Sequence, residues 1–205
     1  KNMHLISNWA RELWRIAVAV KTADYNVDLN DFCGAIEEVA LEIPFTGVSQ
    51  QKSRNKFKGD LLEVLAWVMF SGDAPIDHTR YGLAEYRPVD ISDDYGTDGI
   101  GKDIENNKVG VQVKYRRVIK FPITYTELAK TFTSGMCLHG LDLMKKDSLW
   151  LYTNAYGANY QCEHVFGNKL RVIGHEDIEA NLSPRFWEFF YEKVRNDLDT
   201  LSNVG

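Results

Sequence analysis

Residues 95–116, YGTDGIGKDIENNKVGVQVKYR, constrain the fold more than any other segment of the chain. Val109, Val111 and Val113 alternate with Gly110, Gln112 and Lys114, the period of a strand whose two faces meet different surroundings. Upstream, Gly99 to Glu105 reads as a second strand, and Asn106 with Asn107 supplies the turn that makes the pair a hairpin. The valines are expected to face a core while Gln112 and Lys114 face a cleft. A half-exposed strand shows the same alternation, so the pattern by itself establishes only amphipathicity.

Helical text surrounds the hairpin. ISNWARELWRIAVAVK spaces Trp9, Leu13, Ile16, Ala17 and Val20 as one helix face, and DLNDFCGAIEEVALEI does the same with Phe32, Ala35, Ile36, Val39 and Ala40 before Pro44. KGDLLEVLAWVMF is a strongly apolar helix in which Glu63 is the exception, a carboxylate that must face solvent, a partner or a metal. Thr124 with Glu127 predicts a capping box for LAKTFTSGMCL. DSLWLYTNA and KLRVIG read as strands, HEDIEANL as a short helix, and Ser183–Pro184 opens a final helix rich in Phe and Trp. The order predicts an α/β fold, a mixed central β-sheet flanked by helices, with an N-terminal helical segment over residues 1–50 and the core over 51–205. That segment serves packing or DNA recognition.

A chain of 205 residues with 44% hydrophobic content can bury one substantial core, which excludes disorder. No run approaches the roughly 20 apolar residues of a membrane span, and the start carries charge where a signal peptide needs an apolar stretch, so an intracellular, cytoplasmic protein is expected. Three cysteines without framework spacing fit a reducing compartment. The net charge of -5 weighs against a generally basic nucleic-acid binder. The basic residues cluster nonetheless, as Lys52, Arg54, Lys56 and Lys58, and as Lys114, Arg116, Arg117 and Lys120, each group next to a candidate catalytic residue. Such runs are equally read as solvated faces.

Phosphodiester hydrolysis needs a metal on hard oxygen ligands, an activated water and a positive group near the developing charge. An Asp opening a hairpin, a QxK on its second strand and a Glu on an upstream helix can supply these parts. Asp98 would ligate the metal, Glu63 would complete its shell, Gln112 would offer its amide oxygen, and Lys114 would orient the attacking water. Asp103, on the same hairpin, competes with Asp98 for the ligand role.

On KGDLLEVLAWVMF, GTDGIG and VGVQVKYR, followed by the TELAKTFTSGMCL helix and the LWLYTNA strand, the chain resembles the PD-(D/E)xK nuclease superfamily, in its Mrr-type branch where Gln replaces the central acid. Thr97 stands where the family name has Pro. The resemblance covers roughly residues 55 to 155. It implies a restriction-endonuclease-like core, DNA cleavage leaving a 5′ phosphate, and a divalent metal, usually magnesium with manganese able to substitute, held by Asp98 and the Val113 carbonyl with help from Glu63. It also implies a homodimer for double-strand cleavage. A second reading keeps the fold as a catalytically silent DNA-binding or assembly module, and either reading suits a domain of a larger helicase or recombinase.

The CxH pairs Cys137/His139 and Cys162/His164 lack the spacing of a zinc finger. No GxSxG elbow and no P-loop occur, which removes serine-hydrolase and nucleotide-driven chemistry.

Overall fold

The computed structural model describes residues 3–43, 50–89 and 96–204, with side chains over 6–43, 53–89 and 96–202. Five strands form one mixed sheet in sequential order: β1 (Ala84–Pro88), β2 (Gly99–Lys102), β3 (Lys108–Lys114), β4 (Ser148–Thr153) and β5 (Leu170–Ile173). The first three pair antiparallel, and β3, β4 and β5 run parallel. The architecture is therefore the α/β arrangement expected, a mixed sheet between helices.

The hairpin carries the register Gly99↔Val111 to Lys102↔Lys108. Its turn is closed by Asp103, whose Oδ1 accepts from the Glu105 and Asn107 amides at 2.9 Å each. Asn106 takes φ 67°, a left-handed conformation that Asn tolerates. β1 is an edge strand absent from the sequence reading. Its register shifts between Ala84 and Arg87, Glu85 has φ 55°, and Pro88 ends it, so it carries none of the regular alternation that marks a strand.

Each face of the sheet has its own cover. Val109, Val111 and Val113 join a large core with α4 (Gln50–Met69), α2 (Ala10–Thr22), α3 (Leu29–Glu42), α8 (His175–Asn181) and α9 (Pro184–Val204). On the other face α6 (Tyr125–His139) and α7 (Tyr160–Phe166) enclose a smaller core of Ile123, Leu128, Leu151, Ala155 and Cys162. Gly110 makes room for Leu141, just past the end of α6, because a Cβ there would meet Leu141 Cδ1 at 2.9 Å. The Thr124 amide and hydroxyl both donate to Glu127 Oε2 at 2.8 Å at the start of α6, as the capping box predicted.

The helix expected from ISNWARELWRIAVAVK, with Ser7 or Asn8 as its cap, is α2, capped by Trp9 one or two residues later, and the short α1 (Met3–Asn8) precedes it. Trp9 ties this junction to α4: its Nε1 donates to Asp60 Oδ2 at 2.8 Å, and its ring meets Phe57 edge-on at 5.0 Å. The N-terminal helices share the main core. Phe32 packs on Trp187 at 5.2 Å, and the Leu29 amide donates to Glu179 at 2.7 Å. Pro44, expected to end the second helix, lies outside the described residues. Among the described residues no helix is long and apolar enough to cross a membrane.

Candidate active site

The hairpin register runs out where β3 meets the segment before β2, and Asp98 occupies that point. Its amide donates to the Val111 carbonyl at 2.8 Å and its carbonyl accepts from the Val89 amide at 2.9 Å, so its backbone is held from both neighbouring strands. Its carboxylate continues the pairing: Oδ2 accepts the Val113 N–H at 2.7 Å. A carboxylate takes the place of a strand carbonyl, directly beside the QVK segment. Asp103 is committed to the turn at the opposite end of the hairpin, which separates the two rivals spatially.

Glu63 reaches the same neighbourhood from α4, half-buried amid fully buried Leu62 and Val64. The link is Tyr86 of β1, unread in the sequence. Burial first, then the charges of Glu63 and of Asp98, hold its phenol well above the ordinary tyrosine value. The charges of two carboxylates, one on α4 and one just before β2, thus both bear on the half-buried Tyr86. Gly99 makes room for that phenol, because a Cβ at residue 99 would lie 2.3 Å from Tyr86 Oη.

Gln112 is placed differently from expectation. It is 3% exposed and faces α6, where its Oε1 accepts from the Thr131 hydroxyl at 2.6 Å and its Nε2 donates to the Val113 carbonyl at 3.3 Å. The amide oxygen expected on the metal is engaged by a helix instead. Around it lies a buried polar layer, with the Thr97 and Ser134 hydroxyls 2.5 Å apart and Ser134 donating to the Thr131 carbonyl at 3.3 Å. Thr131 and Ser134 sit three apart on the buried stripe of α6, a visible irregularity in its apolar pattern. Lys114 ends β3 opposite Thr153, half-buried, and forms no salt bridge among the described residues.

The basic clusters divide. Lys58 is 8% exposed and pairs with Glu37 at 2.8 Å inside the fold, so its assignment to a DNA surface is corrected: helical periodicity puts it on the face of Leu61 and Leu62. Arg116 is half-buried and engaged within the fold. Its Nη2 donates to both Glu127 oxygens at 2.6 Å, while its backbone exchanges two 2.7 Å hydrogen bonds with the Asn154 side chain. Lys56 pairs with Asp60 at 3.0 Å, and Arg54 reaches the Leu41 carbonyl at 3.5 Å. Arg117 and Lys120 are exposed on the loop after β3. The side chain of Lys52 lies outside the described residues.

The candidate donors are oxygens: the carboxylate of Asp98, which accepts from the Val113 amide, the Val113 carbonyl, and the carboxylate of Glu63 on α4. Among the described residues no three His, Cys, Asp or Glu side chains gather into a metal-binding group. An oxygen-only set with two carboxylates fits a hard cation such as magnesium, which retains water ligands, rather than zinc.

No family model and no curated protein matches the chain. Among solved structures it is similar to the crystal structure of a protein of unknown function, AF1548, at 12% identity over 70% of this chain and 96% of that one, with a TM-score of 0.38.

Proposed function

We propose that this chain is a metal-dependent DNA endonuclease of the PD-(D/E)xK kind, hydrolysing a phosphodiester to leave a 5′ phosphate. The observation that carries the reading is the placement of Asp98: its carboxylate accepts from the Val113 amide at 2.7 Å, within QVK. That bond joins the hairpin acid to the QVK strand, and the charge of Glu63 acting on Tyr86 together with that of Asp98 supports including the helix acid in the same site.

Asp98, Glu63 and the Val113 carbonyl would hold magnesium or manganese, which supplies Lewis acidity toward a phosphoryl oxygen and a more acidic bound water. The protein's own residues do the rest. Asp98 is fixed by its backbone bonds and by Val113, so its free energy of ordering is met on folding rather than on binding. Gln112 is a positioning residue, orienting the Val113 carbonyl through Nε2 while Thr131 locks its rotamer. Lys114 brings a positive charge to the attacking water or to the phosphorane oxygens, where a compact ammonium stabilises developing negative charge. Water adds to phosphorus, the bond to the 3′ oxygen breaks, and that oxygen takes a proton. Arg117 and Lys120 contact neighbouring phosphates, and cutting both strands requires a second copy of the site, hence a homodimer.

The test is cleavage of supercoiled plasmid and of a branched DNA in magnesium, manganese or EDTA, comparing wild type with Lys114→Ala. Metal-dependent cutting that disappears in the variant is expected. DNA binding without cutting in any metal would leave the silent DNA-binding module as the surviving account.

A further inference from the structure

A second concave site lies at the far end of the sheet from Lys114. It is a cavity of about 320 Å³ at the start of β4, between the hairpin turn, Arg80 of the short helix α5 (His78–Tyr81) and Arg171 of β5. Ser148, which lines it, pairs with Val109, whereas Thr153 at the other end of β4 pairs with Lys114. Its volume is within the range of small-ligand sites, roughly 300–1,000 Å³.

Its charge is unusual. The Arg171 guanidinium stacks 4.6 Å from the Trp150 ring centroid and 5.1 Å from that of Tyr81, and Arg80 lies 5.3 Å from the same tyrosine ring. Stacking covers the faces of a guanidinium and leaves its N–H edges for in-plane acceptors. Among the described residues neither arginine has a salt bridge or a side-chain hydrogen bond. Burial lowers the pKa of Arg171, the nearby Asp177 charge works against that and Arg80 adds to it; Asp177 itself accepts from the Tyr81 hydroxyl at 2.6 Å, so the two like charges sit together without a carboxylate in a salt bridge to either. The acids in the lining are directed elsewhere: Asp103 to the turn amides, and Glu105 to Lys146 at 3.7 Å. Ser148 and Asn168 add polar groups to the wall.

We propose that this cavity binds a phosphate monoester, with Arg171 and Arg80 as the ligands of the phosphoryl group. Two guanidinium forks converging on one cavity match the oxygens of a dianion, and the anion removes the repulsion between them. A free mononucleotide and the 5′-phosphorylated end of a DNA strand share this chemistry. The site is separate from Asp98 and Lys114, and the inference does not rest on the nuclease reading.

The test is calorimetric titration of the whole protein, in EDTA and at fixed ionic strength, with a nucleoside 5′-monophosphate, the matching nucleoside, and short duplexes with and without a 5′ phosphate. Binding that requires the phosphate is expected, weakened roughly tenfold in Arg80→Gln and further in Arg171→Gln. Glu105→Gln, which removes a negative charge from the rim, should tighten it. Arg80 is exposed, so its variant decides the matter should Arg171→Gln fail to fold. Phosphorylated duplex binding in preference to the mononucleotide identifies a DNA end, and the reverse a free nucleotide. Equal binding of nucleoside and nucleotide, or affinity indifferent to Arg80→Gln and Glu105→Gln, overturns the proposal.

Discussion

Asp98 has two separable jobs, and a pair of substitutions can divide them. As a hydrogen-bond acceptor it satisfies the Val113 amide at 2.7 Å, in a place where Asp98 is 9% and Val113 6% exposed. As a charged ligand it belongs to the proposed chemistry. Asp98→Asn keeps an oxygen where Val113 needs it and removes the charge. Asp98→Ala removes both, leaving a buried N–H without its partner, at a cost of about 1–3 kcal/mol. Both variants relieve the same charge beside Glu63, so their difference isolates the hydrogen bond. For a chain of 205 residues, 1 kcal/mol moves Tm by roughly 2–4 °C. With a central value of about 2 kcal/mol, the alanine variant should melt roughly 4–8 °C below the asparagine variant. Thermal unfolding followed by circular dichroism in EDTA measures the gap, and plasmid cleavage in magnesium measures the chemistry. Neither variant should cut. Cleavage by Asp98→Asn would remove Asp98 from the metal site, and coincident melting curves would show that the Val113 bond is not what holds the segment.

Lys58→Met removes the partner of the half-buried Glu37, which keeps, among the described residues, only the Tyr115 hydroxyl, and should destabilise the fold by about 1–2 kcal/mol in denaturant titration while leaving DNA affinity intact; lost affinity with unchanged stability would return Lys58 to the binding surface. Arg117→Ala with Lys120→Ala should reduce the slope of log K against log salt by about two units on duplex DNA, and an unchanged slope would take both off the interface. Burial opposes ionisation of Glu127, but hydrogen bonds from Arg116 and from Thr124, with the Arg116 charge, hold its carboxyl below the ordinary 4.5. Its contribution to stability is therefore complete above about pH 4.5 and is lost as pH falls through the lower folded-state value. Arg116→Gln should flatten the acid limb of the stability profile below that point, and a limb as steep as wild type would locate the acid sensitivity elsewhere.

The hairpin was legible because alternation and an asparagine turn are local properties, fixed within a few residues. Tyr86 was not, because the bulge at Glu85 and the proline at 88 disrupt the local pattern in AEYRP and only pairing with β2 makes it a strand. The intramolecular partners of two basic residues differ in how far the sequence shows them. Lys58 carried a readable clue, three and four residues before Leu61 and Leu62 on a helix whose buried face they define. Arg116 carried none, since its partner Glu127 is already accounted for locally by the cap it forms with Thr124, and a second role for one carboxylate depends on the path of the intervening loop.

Alternation also correctly put Gln112 on the face opposite the valines, without saying what covers that face. The cover is α6, and it explains why an amide stands at this position. Gln112 must donate to the Val113 carbonyl and accept from the Thr131 hydroxyl at once, while almost wholly buried. A glutamate in its ionised form accepts but cannot donate, and it would place a third carboxylate near Asp98 and Glu63 with no cation bonded to it in the polar layer of Thr97, Thr131 and Ser134. The glutamine is thus set by the hydrogen-bonding demands of the helix–strand contact. In the proposed site the consequence is a division of labour: two carboxylates and a backbone carbonyl provide the oxygen ligands, and the neutral amide behind them holds that carbonyl in place.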